Sequence, residues 1–473
     1  MRGERLSALD ASFLGFEDGV SHMHIGSIAL FEGPPPSAEE LHEMVLCKLP
    51  LVPRYRQVVH FVPFDAGRPV WVEDPHFNIG YHLRRSALPA PGGEEQLQRL
   101  VGRVMSQQLD RTKPLWEMWV VERVELPGLD APWALISKTH HCMVDGVSAS
   151  DLLSVMLDRD PQGSRPLIDK RQVGRAPGDL ELLAGALGAG VGDAARALGA
   201  LLRPWRLARR GTDAAGGLMR MRGVLRPPPP SSLNGPLGPH RRWCWAQAEL
   251  ADVKAIKRVL GGTVNDVVLA CITGGFRRLL IDRGESVERP VRTLVPVSVR
   301  GPSQHGVYDN RVSAIFAELP VGIPDPVQRL RAITTQMADL KESKEALAGE
   351  VLTQLGGFAP PMLLALGERL ATRVPQHSIN TVTTNVPGPQ QPLYAAGRRM
   401  LQAYGYVPLG GHVRVGVAIF SYDGHLGFGV TGDYDTARDI GVLAAGIEAA
   451  MAELLEICAP APAPAPASAG AAR

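Results

Sequence analysis

Two adjacent histidines, His140 and His141, precede Asp145 and Gly146, which stand four and five residues beyond the second of them, with apolar segments on either side. Histidine is the side chain whose unperturbed pKa lies near neutrality, so it can take a proton from a hydroxyl and give it back. With His141 as that base, an alcohol can attack a thioester directly. No GxSxG elbow stands beside the pair, and Ser148 and Ser150 read as helix-start residues rather than nucleophiles. Asp145 then either orients the imidazole or sits in a structural ion pair, and Gly146 permits a tight backbone or the close approach of a ligand. The spacing of His141 and Asp145 would also suit two metal ligands. No third or fourth ligand follows at matching spacing, so no metal is expected. A pair of histidines that merely pack is the remaining alternative.

A collapsing thioester places negative charge on oxygen, and that charge needs a donor aimed at it. Asn265 and Asp266 stand in the first turn of a helix capped by Thr263, where a side-chain amide and unpaired backbone N–H groups can converge. The plainer reading is that both residues decorate a helix start.

The elements around these residues follow from periodicity. Trp116 to Val124 and Trp133 to Thr139 read as strands leading to the histidines, and Val147 to Leu157 as the helix that leaves them. Earlier, Met23 to Phe31 reads as a strand, Leu41, Val45, Leu46 and Leu49 as a helical stripe behind Ser37, Arg54 to Val59 as extended, and Gln96 to Leu109 as a helix. Helices alternate with strands, which predicts an α/β (α+β) first half over residues 1–160.

Residues 161–239 are crowded with Ala, Gly, Arg and Pro and predict a partly helical crossover, with Leu183, Leu187, Val191, Leu198 and Leu202 on one face. A solvated linker and a basic membrane-surface contact both fit its arginines. A second α/β half is predicted over 240–458. It contains a helix from Thr263, strands at Val291–Val299 and Asn310–Leu319, a helix from Asp325, and a Leu-rich helical stretch from Leu352 to Thr372. Val413–Tyr422 and Leu426–Thr431 flank Asp423-Gly424 as a hairpin, and Ile440–Leu455 closes as a helix. The Ala-Pro tail, 459–473, predicts disorder.

With 473 residues, the chain exceeds one ordinary core at about 150 residues per domain. The 50 basic and 48 acidic residues leave a formal charge of +2, which gives no argument for nucleic acid. Five scattered cysteines without CxxC spacing read as free thiols in a reducing compartment. Met1 to Asp10 lacks the apolar core of a secretory leader, and no run reaches the roughly 20 apolar residues of a spanning helix. A cytoplasmic protein is expected, with any contact to a membrane face or lipid inclusion peripheral.

His140-His141-Cys142-Met143-Val144-Asp145-Gly146 resembles the HHxxxDG signature of the CoA-dependent acyltransferase superfamily, which includes chloramphenicol acetyltransferase and peptide-synthetase condensation domains. More specifically, the chain resembles the bacterial wax ester synthase/acyl-CoA:diacylglycerol acyltransferases. The resemblance runs in order through Leu9-Asp10-Ala11, Met23-His24-Ile25-Gly26, Pro114-Leu115-Trp116, Asn265-Asp266, Pro296 to Arg300, Asn385 to Pro389, and Ser421-Tyr422 through Gly429. It implies two chloramphenicol-acetyltransferase-like sandwich halves with an active-site tunnel between them. Long-chain acyl-CoA enters as co-substrate, no cofactor is held, and diacylglycerol or a long-chain alcohol accepts the acyl group. His141 is then the general base with His140 beside it, Asp145 is held structurally by Arg56, and Asn265 belongs to the oxyanion site. Pro114, Leu115 and Trp116 are associated with the acyl-chain pocket, and Gly146, Asp266, Ser298 and Arg300 are placed near substrate. A same-fold enzyme using a carrier-protein donor or a polyketide-type alcohol, and a catalytically silent lipid-surface protein, are the competing readings.

Overall fold

The computed structural model describes residues 4–143, 149–163, 178–185, 188, 231–298, 312–342 and 379–459, excluding the side chains of 149–152, 297–298, 312–314 and 341–342. Asp145, Gly146, Arg300, the stretch from Leu352 to Thr372, most of the crossover and all but the first residue of the Ala-Pro tail lie outside these residues, as does the side chain of Ser298.

Fifteen strands occur among the described residues: β1 (Glu4–Arg5), β2 (His24–Phe31), β3 (Gln57–His60), β4 (Val70–Glu73), β5 (Leu83–Ala87), β6 (Trp116–Glu122), β7 (Trp133–His140), β8 (Arg241–Glu249), β9 (Val291–Ser298), β10 (Val312–Leu319), β11 (Thr381–Pro387), β12 (Tyr394–Ala395), β13 (Arg398–Tyr406), β14 (Val415–Tyr422) and β15 (His425–Asp433). Two six-stranded sheets hold most of them, in the orders β12-β13-β2-β7-β6-β5 and β10-β9-β11-β14-β15-β8. A small sheet, β1-β4-β3, stands apart. Each large sheet mixes parallel and antiparallel neighbours: β5 runs parallel to β6, and β11 runs parallel to both β9 and β14. The molecule is thus mixed α/β with two sheet-rich halves.

Period-two alternation explains how the first sheet divides its core. Ile28, Leu30, Ala134 and Ile136 pack with Leu97, Val101 and Val104 of the helix Glu94–Ser106. The intervening residues Ala29, Phe31, Trp133 and Leu135 pack on the other face with Leu41, Val45 and Trp116. In the second half, the helices Leu250–Leu260, Val264–Asp282, Pro326–Glu342 and Ile440–Cys458 share one core with Val415, Val417, Ile419, Leu426, Phe428 and Val430 of β14 and β15.

The crossing between halves departs from the sequence expectation. β12 and β13 lie within 240–458, yet β13 pairs antiparallel with β2, so the second half supplies two strands to the first sheet. β13 then lies across β15, and glycine permits the approach: a Cβ at Gly427 would collide with the Ala403 carbonyl oxygen, and one at Gly429 with that of Gly405. Arg54–Arg56, expected to be extended, instead belong to a 3-10 turn opened by Pro53, whose fixed φ suits a turn, and β3 begins only at Gln57. The Asp423-Gly424 hairpin forms with φ of 43° and 89° at its two central residues, the positive values its turn requires. In the described part of the crossover, residues 179–185 are helical and Leu182 is buried against Val58, Val62, Val70 and Val72 of the small sheet region. Among the described residues no single helix is long and apolar enough to cross a membrane. Leu250–Leu260 and Val264–Asp282 pass that test only as a pair, bent by 101°.

Candidate active site

β7 ends at His140, and His141 opens a 3-10 turn, His141–Met143. Consecutive amides are held from two sides: His140 N–H donates to the Leu115 carbonyl at 2.9 Å and His141 N–H to that of Met23 at 2.8 Å. Cys142 and Met143 are buried in the first-half core and anchor the turn. The His141 ring, half-buried, stacks on Phe13 of the helix Ala8–Phe16 with centroids 3.9 Å apart and planes 26° from parallel. Burial pushes the imidazole down to about 4, a hydrogen bond to the residue's own backbone carbonyl opposes that fall, and the neighbouring His140 adds to it. The ring is therefore neutral at ordinary pH.

His140 has different surroundings. The alternation of β7 carries Lys138 and His140 to the side of the helix Glu94–Ser106, where Lys138 donates to the Val104 carbonyl at 3.0 Å and to that of Gln107. His140 Nδ1 accepts the Cys142 N–H at 3.1 Å, so its own proton sits on Nε2. That nitrogen faces Glu17 Oε2 at 3.4 Å. The buried Glu17 carboxylate also lies 3.5 Å from His24 Nε2 and 4.0 Å from His22 Nδ1, and it accepts two hydrogen bonds from Arg111, at 2.6 and 3.0 Å. Burial alone would raise the Glu17 carboxyl. Contacts with His140, His24 and Arg111 outweigh it and hold the group well below the ordinary carboxylate range. Burial pushes His24 down to about 3 against the pull of Glu17.

In the second half, Thr263 and Asp266 form a reciprocal cap. Thr263 N–H donates to Asp266 Oδ2 at 2.8 Å, and Asp266 N–H to the Thr263 hydroxyl at 3.2 Å. Asp266 is therefore buried as a capping residue, with its Oδ2 already engaged. Asn265, half-buried, accepts a hydrogen bond on Oδ1 from Asn385 Nδ2 at 3.0 Å, so its own NH2 group is free to point elsewhere. Asn385 stands on β11 beside Val386, which packs against the cluster holding Cys142 and Met143. β11 thus runs between the His141 turn and the Asn265 helix start.

Pro114, Leu115 and Trp116 are all buried. Trp116 stacks on Tyr55 and on His82, each at 4.4 Å, and its indole N–H donates to the Tyr55 carbonyl at 2.8 Å. With Trp116 stacked on two rings and the Leu115 carbonyl holding His140, the motif packs the core and helps hold the histidine turn. Arg56 lies over the Phe77 ring at 5.6 Å. Its expected partner Asp145, and Gly146, Ser298 and Arg300, contribute no described side chain to the site. Phe13, Glu17 and Arg111 have no role in the sequence reading, and Asn385 enters it only as the first residue of the Asn385 to Pro389 match. Phe13 lies in the helix Ala8–Phe16 and Glu17 is its C-cap, four residues on, a spacing that says nothing of what the two side chains meet.

Comparison with known proteins bears on the same residues. The wax ester synthase/diacylglycerol acyltransferase catalytic domain matches residues 6–268, and the C-terminal domain of that family matches 308–455. The chain belongs to the wax ester synthase/diacylglycerol acyltransferase family. A probable diacylglycerol O-acyltransferase of Mycobacterium tuberculosis is 38% identical over 459 residues, covering 96% of each chain. A putative one of Mycobacterium bovis matches with the same identity and coverage. The structure of the wax ester synthase/diacylglycerol acyltransferase from Marinobacter aquaeolei VT8 superposes with a TM-score of 0.68 at 25% identity, over 96% of this chain and 99% of that one. The first condensation domain of the calcium-dependent antibiotic synthetase, at 18% identity and a TM-score of 0.59, shares the fold. Family membership places the chain among the acyltransferases.

Proposed function

We propose that this chain moves a long-chain acyl group from acyl-CoA to the hydroxyl of diacylglycerol, and to long-chain alcohols, with release of CoA. The observation that carries the reading is His141: a neutral imidazole stacked on Phe13 where β7 hands over to the 3-10 turn. The imidazole takes the acceptor's hydroxyl proton as the oxygen attacks the thioester carbon. The C–O bond forms, and the carbonyl oxygen gains a negative charge that the free amide N–H groups of Asn265 stabilise. Collapse breaks the C–S bond, and the imidazolium returns its proton to the CoA thiolate. Asp145 supports the turn, with Arg56 as its partner, and Gly146, Ser298 and Arg300 line the passage between the halves. Access to a membrane or lipid-inclusion surface is peripheral and serves an acceptor that partitions there.

Oleoyl-CoA with diolein tests this. Triacylglycerol should form with one thiol released per ester, and His141→Ala should abolish both while the melting temperature stays unchanged. Thiol release without triacylglycerol would shift the acceptor to a polar alcohol. Full activity in His141→Ala would remove the base altogether.

A further inference from the structure

The buried carboxylate of Glu17 has no part in the chemistry above, yet it faces His140 of the histidine pair. We infer that Phe13 and Glu17 form a two-point grip by which the helix Ala8–Phe16 sets the geometry of both histidines, making them positioning residues for the reaction. Phe13 lies in the helix's last turn and Glu17, four residues on, is the C-cap that ends it. One lies flat on the His141 ring, 3.9 Å away, and the other faces His140 Nε2 at 3.4 Å. Arg111 locks the helix in that register. Its guanidinium spans Glu17 Oε2 and the Leu14 carbonyl, at 2.6 and 3.1 Å, and places a positive charge at the helix C-terminus, where the backbone dipole favours it. Arg111 precedes Pro114-Leu115-Trp116 by a few residues, and the Leu115 carbonyl holds the His140 amide. The loop that fixes the backbone of the pair therefore also fixes the helix that fixes its rings.

A plain packing role would need only apolar volume against His141. Here a ring face meets a ring face, and a charge-bearing fork meets a carboxylate, both of which constrain direction as well as distance. An imidazole that must reach a hydroxyl proton within hydrogen-bond range tolerates little rotation. A misplacement of about 1 Å costs on the order of a hundredfold in rate.

The inference rests on His141 being the base, and the full chain assayed with oleoyl-CoA and diolein separates the two claims. Phe13→Leu keeps the apolar volume but loses the flat face, whereas Phe13→Tyr keeps the face. Phe13→Leu and Glu17→Gln are each expected to lower kcat by about tenfold or more, within that hundredfold bound, with KM for both substrates nearly unchanged. Phe13→Tyr is expected to restore kcat, and the Phe13→Leu/Glu17→Gln double variant to lose no more than the worse single one. Equal kcat in Phe13→Leu and Phe13→Tyr, or losses that multiply in the double variant, overturns the grip. If Glu17→Gln fails to fold, the Phe13 pair decides alone. His141→Ala inactive with Phe13→Leu at full rate rejects the grip and leaves the base intact; His141→Ala active rejects the base itself.

Discussion

At the scale of residues, adjacency in sequence concealed a division of labour. His140 and His141 share a motif, but one ends a strand with its proton directed at a buried carboxylate and the other opens a turn with its ring stacked on Phe13. Across the site, the amide of Asn265 is useful to an oxyanion only if its NH2 group faces the reacting carbonyl. Asn385 bears on that orientation, because its Nδ2 donates to Oδ1 of Asn265 and turns the NH2 group away from Asn385. Asn265→Ala is expected to lower kcat by roughly a hundredfold, as for other oxyanion donors. Asn385→Asp is the sharper test: a carboxylate accepts instead of donating, so the Asn265 amide turns its oxygen toward the developing charge. Steady-state rates should therefore be lower in Asn385→Asp than in Asn385→Ala, and the opposite order would refute the orientation argument.

At the scale of elements, the motifs outside the histidine turn act mainly by making close packing possible. Gly388 sits where a Cβ would strike the Ser421 carbonyl and the Phe420 ring, and its N–H donates to the Ser421 hydroxyl at 3.1 Å, so the Pro-Gly-Pro loop is a seal on the end of β14. Gly427 and Gly429 let β13 cross β15, with Trp243 donating to the Gly405 carbonyl at 3.2 Å in the same contact. Backbone cannot yield as a flexible side chain does, so Gly429→Ala is expected to cost on the order of 3 kcal/mol or more. Gly441, which has open space around its Cβ position inside the helix Ile440–Cys458, is the control. Gly441→Ala should stabilise by up to about 1 kcal/mol. Urea unfolding of the two variants measures both, and equal midpoints would show that the strand crossing is not tight.

At the scale of the whole molecule, the buried histidines tie folding to pH. His24 and His141 are pushed by burial to about 3 and about 4, and burial lowers His22 and His82 as well. Their folded values lie below the unfolded one of 6.5, so between these limits the unfolded chain binds protons that the native chain excludes. Stability is therefore expected to fall as pH falls through that window. Glu17, whose folded value lies below 4.5, adds to the loss only under more acid conditions. Calorimetry between about pH 7 and about pH 5 should show a declining melting temperature; a flat profile would contradict neutral burial of these rings.

Periodicity and motif spacing alone were enough to read two α/β halves, the histidine turn between a strand and a helix, the capped helix at Thr263 and the Asp423-Gly424 hairpin. Each depends on residues within a turn or two of one another, and local backbone preference carries that information. Three features depended on the tertiary structure: the transfer of β12 and β13 into the first sheet, the use of Trp116 as a doubly stacked core residue, and the meeting of Phe13, Glu17 and Arg111 with the histidine pair. These contacts join residues from 34 to 380 positions apart, where the chain's own spacing says which face a side chain shares but not what that face will touch.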